Sequence, residues 1–231
     1  LRGICELVIA ENLRRTEGKK LYIMYDQIYW MLTYGQVKHV DPVSLYPELK
    51  DYTIYVDGIS KCFAATGVRV GWALGPSTVI NKMKAILSHI GAWAPMPEQK
   101  ATAKYLVQKG SIDQFMSNFK SEILERCKKI YEGFMKLKKE GFAVDAITPQ
   151  AAIYLSIKMD LKGKTTADGQ LLGTQQDVTA YILREAKLAV VPFHVFGASD
   201  SPWYRLSVGN CKKEEINEMM AKLKAALEKL S

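Results

Sequence analysis

Ser60-Lys-Cys-Phe-Ala-Ala-Thr-Gly-Val-Arg-Val-Gly71 follows one apolar run, Tyr52-Thr-Ile-Tyr-Val56, and leads into another, Val68-Arg-Val-Gly-Trp-Ala-Leu74. Both runs have the length and the β-branched and aromatic content of strands. A third run, Leu21-Tyr-Ile-Met-Tyr25, precedes them. Its nearly continuous apolar character predicts a strand buried on both faces, as in a largely parallel α/β sheet. In such sheets, chemistry gathers beyond the carboxyl ends of the strands. Asp26-Gln-Ile-Tyr29 follows the first strand, Gly58-Ile-Ser-Lys61 follows the second, and Arg69 lies at the start of the third. Gly67 and Gly71 flank that arginine and permit close backbone approach. Singly, each of these residues has an ordinary reading as a helix cap, interior packing, a surface lysine or a strand arginine.

Helical patterns surround the strands. Ile4, Leu7 and Val8 share one face of a segment running to about Arg15, stopped by Gly18. Ser77 reads as the N-cap of a helix reaching about Ile90, and Pro97-Glu98 opens another. From Ser111, apolar residues recur every three or four positions through Ile123, Cys127, Ile130, Phe134 and Leu137, until Gly141. A helix of that length suits a connection from one domain into the next. Beyond it come strands at Phe142–Val144, Ile153–Ile157, Leu188–Val191 and Trp203–Val208. Helices are predicted over Thr174–Lys187 and from Ile216 onward. The pattern predicts an α/β domain over residues 1–140, with 111–140 as the interdomain helix, and a smaller α+β domain over 141–231.

Composition narrows the function classes. Of 231 residues, 48% are hydrophobic and 24% charged, which excludes a disordered chain or a membrane bundle. The net charge of +8 is scattered in pairs such as Lys128–Lys129, a solvated face rather than a nucleic-acid footprint. Four widely separated cysteines point to a reducing compartment, the cytoplasm, and the three histidines lack metal-ligand spacing.

The combination of Asp26-Gln-Ile-Tyr29, Ser60–Gly71 and Trp203-Tyr-Arg-Leu-Ser207 resembles the class I/II pyridoxal-phosphate-dependent aminotransferases, the aspartate aminotransferase family of fold type I. The middle segment is the specific part, matching Ser-Lys-x-(Phe/Tyr)-x-x-x-Gly-x-Arg-x-Gly. The resemblance spans most of the chain and implies a large-domain portion followed by the small domain. It implies pyridoxal 5'-phosphate as cofactor, with Lys61 supplying the primary amine that condenses with the aldehyde and later shuttles a proton. Asp26 would keep the ring nitrogen protonated, and Tyr29 would bond to the ring 3-oxygen. Arg69 and Ser60 would hold the phosphate, and Arg205 the substrate α-carboxylate. The resemblance further implies amino-acid and 2-oxo-acid substrates, aspartate or a related amino acid with 2-oxoglutarate, and a homodimer without nucleic-acid or membrane partners.

The chain also departs from the family pattern. Gln27 stands where Asp-Glu-x-Tyr is usual, and little consequence is expected. Gly58 stands where many members carry a second hydroxyl, so phosphate binding would lean on Arg69 and Ser60. The Asn-Pro-x-Gly turn, the glycine-containing phosphate loop and the ring-stacking aromatic would all precede Leu1. The chain therefore reads as the C-terminal part of an aminotransferase. A lyase or decarboxylase on the same scaffold, the effector domain of a transcription regulator, and an inactive fragment remain alternatives.

Overall fold

A computed structural model describes residues 1–199 and 201–231. They form two compact units, Leu1–Ser117 and Asn118–Ser231. The division falls inside the long helix, whereas the sequence pattern places it after residue 140.

The first unit opens with α1 (Arg2–Arg14), followed by β1 (Ile23–Asp26). A one-turn helix, α2 (Pro42–Leu45), leads through a 3₁₀ segment to β2 (Thr53–Gly58) and then β3 (Gly71–Leu74). β1 and β2 are parallel, with Asp26 opposite Val56, and β3 is antiparallel to β2, with Gly71 opposite Gly58. α1 packs Cys5 and Val8 against Ile23 and Leu49, so apolar burial holds the helix to one face of the sheet. Asn12, 6% exposed, has its amide satisfied at both ends by Leu21. Its Nδ2 donates to the Leu21 carbonyl at 2.9 Å, and its Oδ1 accepts the Leu21 N–H at 2.7 Å. That pair fixes where β1 begins, because a buried amide left unpaired is costly.

β1 is not buried on both faces. Ile23 faces the α1 core, while Met24 on the other face is 75% exposed. Nor does the third strand begin at Val68. Residues Thr66–Val68 form a 3₁₀ turn and Arg69 is left-handed (φ 60°), so β3 starts only at Gly71. The unit continues through α3 (Ser77–Ile90) and α4 (Met96–Leu106), each begun after a proline with no side-chain cap, so Ser77 is the first helical residue rather than the cap. α5 (Lys109–Lys139) is one helix of 31 residues, about 46 Å at 1.5 Å per residue.

The second unit takes the larger part of α5. Its stripe of Ile123, Cys127, Ile130, Phe134 and Leu137 is almost wholly buried. An antiparallel sheet in the order β4-β5-β7-β6 is built from β4 (Val144–Ala146), β5 (Tyr154–Met159), β6 (Val191–Pro192) and β7 (Trp203–Ser207). Leu155, Ile157, Met159, Tyr204 and Leu206 point into its core. α6 (Gln175–Ala186) starts at a capping box in which Thr174 and Asp177 satisfy each other's backbone N–H. Tyr181 Oη donates to the Ala226 carbonyl at 2.7 Å and joins α6 to α7 (Ile216–Glu228).

Candidate active site

Strand direction decides which residues meet in the first unit. β1 and β2 run side by side in the same sense, so the turn after Asp26 and the loop after Gly58 emerge at the same end of the sheet. β3 enters antiparallel from that end, which brings Arg69 there as well. Asp26, Tyr29, Ser60, Lys61 and Arg69 are therefore all delivered to one sheet end. Asp26 is exposed, and its Oδ1 accepts the Ile28 N–H at 3.1 Å. Tyr29, Ser60 and Lys61 are half-buried, and Arg69 is exposed.

The loop from Ser60 to Arg69 is braced through its own backbone. The Ile59 carbonyl accepts the N–H groups of Phe63 (3.3 Å) and Ala65 (3.4 Å), and the Lys61 carbonyl accepts that of Ala64 (3.2 Å). Thr66 Oγ1 donates to the Ser60 carbonyl at 2.9 Å, and Arg69 Nη1 donates to the Thr66 carbonyl at 2.8 Å. Phe63 packs edge-on to Tyr105 of α4 and stacks with Phe115 of α5, anchoring the loop in that unit. Ala64 (φ 51°) and Arg69 (φ 60°) both occupy the left-handed region, where a side chain costs about 1–2 kcal/mol. Two such residues in one short loop mark a backbone held in place by its surroundings.

Of the two glycines flanking Arg69, Gly71 makes the expected close approach and Gly67 does not. An added Cβ on Gly67 would meet nothing within 4 Å, whereas one on Gly71 would lie 3.0 Å from the Asp57 carbonyl. Gly58 is tighter: its Cβ would lie 2.8 Å from the Val70 carbonyl and 3.0 Å from Gly71 Cα. No hydroxyl-bearing residue fits there without moving β3.

Three side chains at this end escaped the sequence reading. Asp57 is 7% exposed and accepts from the Gly58 N–H (2.7 Å), from Gln27 Nε2 (3.3 Å) and from the Trp30 side chain. Burial pushes its carboxyl above the ordinary range against the pull of those three donors, and the charge on Asp26 adds to the rise. Cys62, fully buried, donates through Sγ to the Ile28 carbonyl at 3.0 Å. Gln27, a departure from the family pattern, also reaches Asp57. The available signal was an acid closing an otherwise apolar strand, at the same parity as the buried Thr53.

Arg205 belongs to the second unit, on β7 opposite Ser156 and Val191. Its guanidinium lies 4.6 Å from the Tyr154 ring centroid and 5.2 Å from that of Phe196. Stacking on two rings fixes the plane of the fork. Its Nε is buried with no hydrogen-bond partner among the described residues, so one donor of the fork is unsatisfied. Among the described residues no cluster of three metal-ligating side chains occurs, all four cysteines are free thiols, and no helix is long and apolar enough to cross a membrane.

A carboxylate, an amine, a phenol and a guanidinium are thus delivered to the carboxyl end of an α/β sheet. The family described as aminotransferase class I and II matches residues 9–223, and the chain belongs to that family. It is 30% identical over 212 residues to the aspartate aminotransferase of Rhizobium meliloti (strain 1021), covering 91% of this chain and 49% of that protein. It is 33% identical over 180 residues to the aspartate aminotransferase of Geobacillus stearothermophilus, covering 78% of this chain and 43% of that protein. The crystal structure of the Rhizobium meliloti aspartate aminotransferase superposes with a TM-score of 0.79 at 28% identity, over 92% of this chain and 51% of the other. The chain thus spans about half the length of the curated relatives it matches.

Proposed function

We propose that this chain is the lysine-bearing portion of a pyridoxal-phosphate-dependent aminotransferase. In this reading the whole protein moves the amino group of an L-amino acid, aspartate or a related one, to a 2-oxo acid such as 2-oxoglutarate. It works as a homodimer in the cytoplasm. The observation that carries the reading is the delivery of Asp26, Tyr29, Ser60, Lys61 and Arg69 to one end of the β1-β2-β3 sheet. The donor set fits the cofactor: Asp26 for a ring nitrogen, Tyr29 for a ring oxygen, Ser60 and Arg69 for a phosphate, Lys61 for an aldehyde.

When bound, pyridoxal phosphate supplies an electron sink for charge that develops at the substrate α-carbon. The chain's own side chains do the rest. Lys61 Nζ takes the α-proton as a general base and, once protonated, serves as the general acid that passes it on, so that the proton does not return to the same carbon. The Asp26 carboxylate favours the protonated ring nitrogen by charge, and its exposure leaves it free to accept that N–H. Arg205 offers its guanidinium to a substrate α-carboxylate as a charge-assisted contact. Stacking on Tyr154 and Phe196 supports that assignment, since it holds the plane of the fork.

Borohydride reduction of the full-length protein loaded with pyridoxal phosphate should leave the cofactor mass on the peptide containing Lys61. A label on any other lysine overturns the site. Half-reactions with a panel of amino acids, followed by cofactor absorbance, would then rank the substrates. Absence of any response to aspartate, glutamate or aromatic amino acids would refute the aminotransferase reading.

A further inference from the structure

Two short contacts join the turn after β1 to the loop after β2, and both come from residues outside the donor set. Gln27 Nε2 donates to Asp57 Oδ2 at 3.3 Å, and Cys62 Sγ donates to the Ile28 carbonyl at 3.0 Å. Gln27 adjoins Asp26, and Ile28 adjoins Tyr29. Cys62 adjoins Lys61, and Asp57 begins the five-residue stretch that ends in it. The backbone adds one further bond, Gln27 N–H to the Val56 carbonyl at 3.0 Å.

Asp57 is the centre of this arrangement. Its two oxygens engage different segments, Oδ1 the Gly58 N–H at the head of the lysine loop and Oδ2 the Gln27 amide. The Trp30 side chain adds a third donor from the β1 turn. A carboxylate so nearly buried is tolerated only with donors around it. A glutamate at position 27 would place a second carboxyl at hydrogen-bond distance from the first, and like charges so close repel unless one of them takes up a proton.

We propose that Asp57, clasped by Gln27, is a positioning residue that sets the lysine loop against the Asp26–Tyr29 turn, and that the acid at 57 is what requires an amide at 27. The catalytic meaning of this clasp rests on the aminotransferase reading given above.

The test is a cycle of four full-length proteins: parent, Gln27→Glu, Asp57→Asn and the double variant. Pyridoxal-phosphate dissociation constants, kcat/KM for one amino acid, and urea unfolding are measured at pH 8. Gln27→Glu should weaken cofactor binding at least tenfold. Asp57→Asn should weaken it three- to tenfold, because two facing amides must reorient. The double variant should bind at least tenfold better than Gln27→Glu alone, since an amide at position 57 would then donate to the carboxylate at position 27. Additive effects on cofactor binding would overturn the proposal, as the two side chains would then not act as a unit. Coupling in urea unfolding but none in cofactor binding would also overturn it, leaving a contact that only packs. A parent protein that takes up no pyridoxal phosphate refutes the site reading itself, and the positioning role falls with it. A parent that binds cofactor normally while the cycle shows no coupling refutes the clasp alone.

Discussion

Gly58→Ala isolates the close approach of β2 and β3 beside the lysine loop. The added Cβ would sit 2.8 Å from the Val70 carbonyl and 3.0 Å from Gly71 Cα, both backbone atoms. Ordinary contact begins near 3.4 Å, so the strands must part by several tenths of an ångström. Overpacking of this kind costs about 1–3 kcal/mol. The Ile59 N–H bond to the same Val70 carbonyl, already 3.3 Å long, would weaken further, adding up to about 1 kcal/mol. Against this, alanine restricts the unfolded chain and returns about 0.4–1 kcal/mol. The net expectation is a loss of about 2 kcal/mol, read from urea unfolding by circular dichroism. Gly67→Ala is the matched control, because its Cβ meets nothing within 4 Å and its φ is not left-handed. It should leave stability unchanged or raise it by up to about 1 kcal/mol. Finding the two variants equally stable would refute the claim that Gly58 is held by lack of space.

Arg205→Lys should raise KM for every amino acid tested and leave cofactor affinity nearly unchanged. Loss of one charge-assisted pair costs about 1.5–3 kcal/mol in substrate binding, and an unaltered KM would remove Arg205 from the substrate site. Asp57 gives a pH test: its folded carboxyl lies above the ordinary range, so its contribution to stability is complete at low pH and is lost as pH rises through the folded value. Asp57→Asn should therefore gain on its parent in urea midpoint as pH rises from about 4; Asp26 and Cys62 are the other ionisable groups bearing on Asp57 and are common to both proteins. Iodoacetamide at pH 8 should modify Cys211 in the native protein but reach Cys5, Cys62 and Cys127 only on unfolding, with peptide mass mapping as the readout. Those three are fully buried, and burial pushes the Cys127 thiol up to about 11. Lys187 ends α6 in the left-handed region (φ 54°), so Lys187→Gly should stabilise by about 0.5–1 kcal/mol in the same urea assay.

The fold was legible where periodicity was strong. The α5 stripe, the β2 run and the terminal helix stand where the three-to-four and apolar-run patterns place them, because a long apolar face has one way to be buried. What failed was local. Val68-Arg-Val reads as strand by composition, but Arg69 turns left-handed and the ladder starts only at Gly71. β1 reads as doubly buried because Met24 continues the apolar run, yet its side alternates outward. Propensity carries no information about which face is covered.

The candidate site was legible through chemistry that is rare in combination, and illegible where it depends on a partner. Lys61, Asp26 and Arg69 stand in motifs whose resemblance to a known family points to them, and the β1-β2-β3 register brings them to one sheet end. The resemblance gives no task to Asp57 or Gln27. Read alone, Gln27 is a neutral replacement with nothing to do, and Asp57 is an acid at the end of a strand. Only the parallel register of β1 and β2, which sets Asp26 opposite Val56, brings position 27 beside position 57. The consequence is that a substitution inside a motif has no fixed meaning until its neighbour on the next strand is known. An acid at 57 turns the usual acid at 27 from harmless to repulsive, and glutamine restores a donor where one is needed. Stabilisation of the lysine loop thus depends on a pair of positions thirty residues apart, and an acid introduced at 27 alone should be worse than the same acid accompanied by an amide at 57.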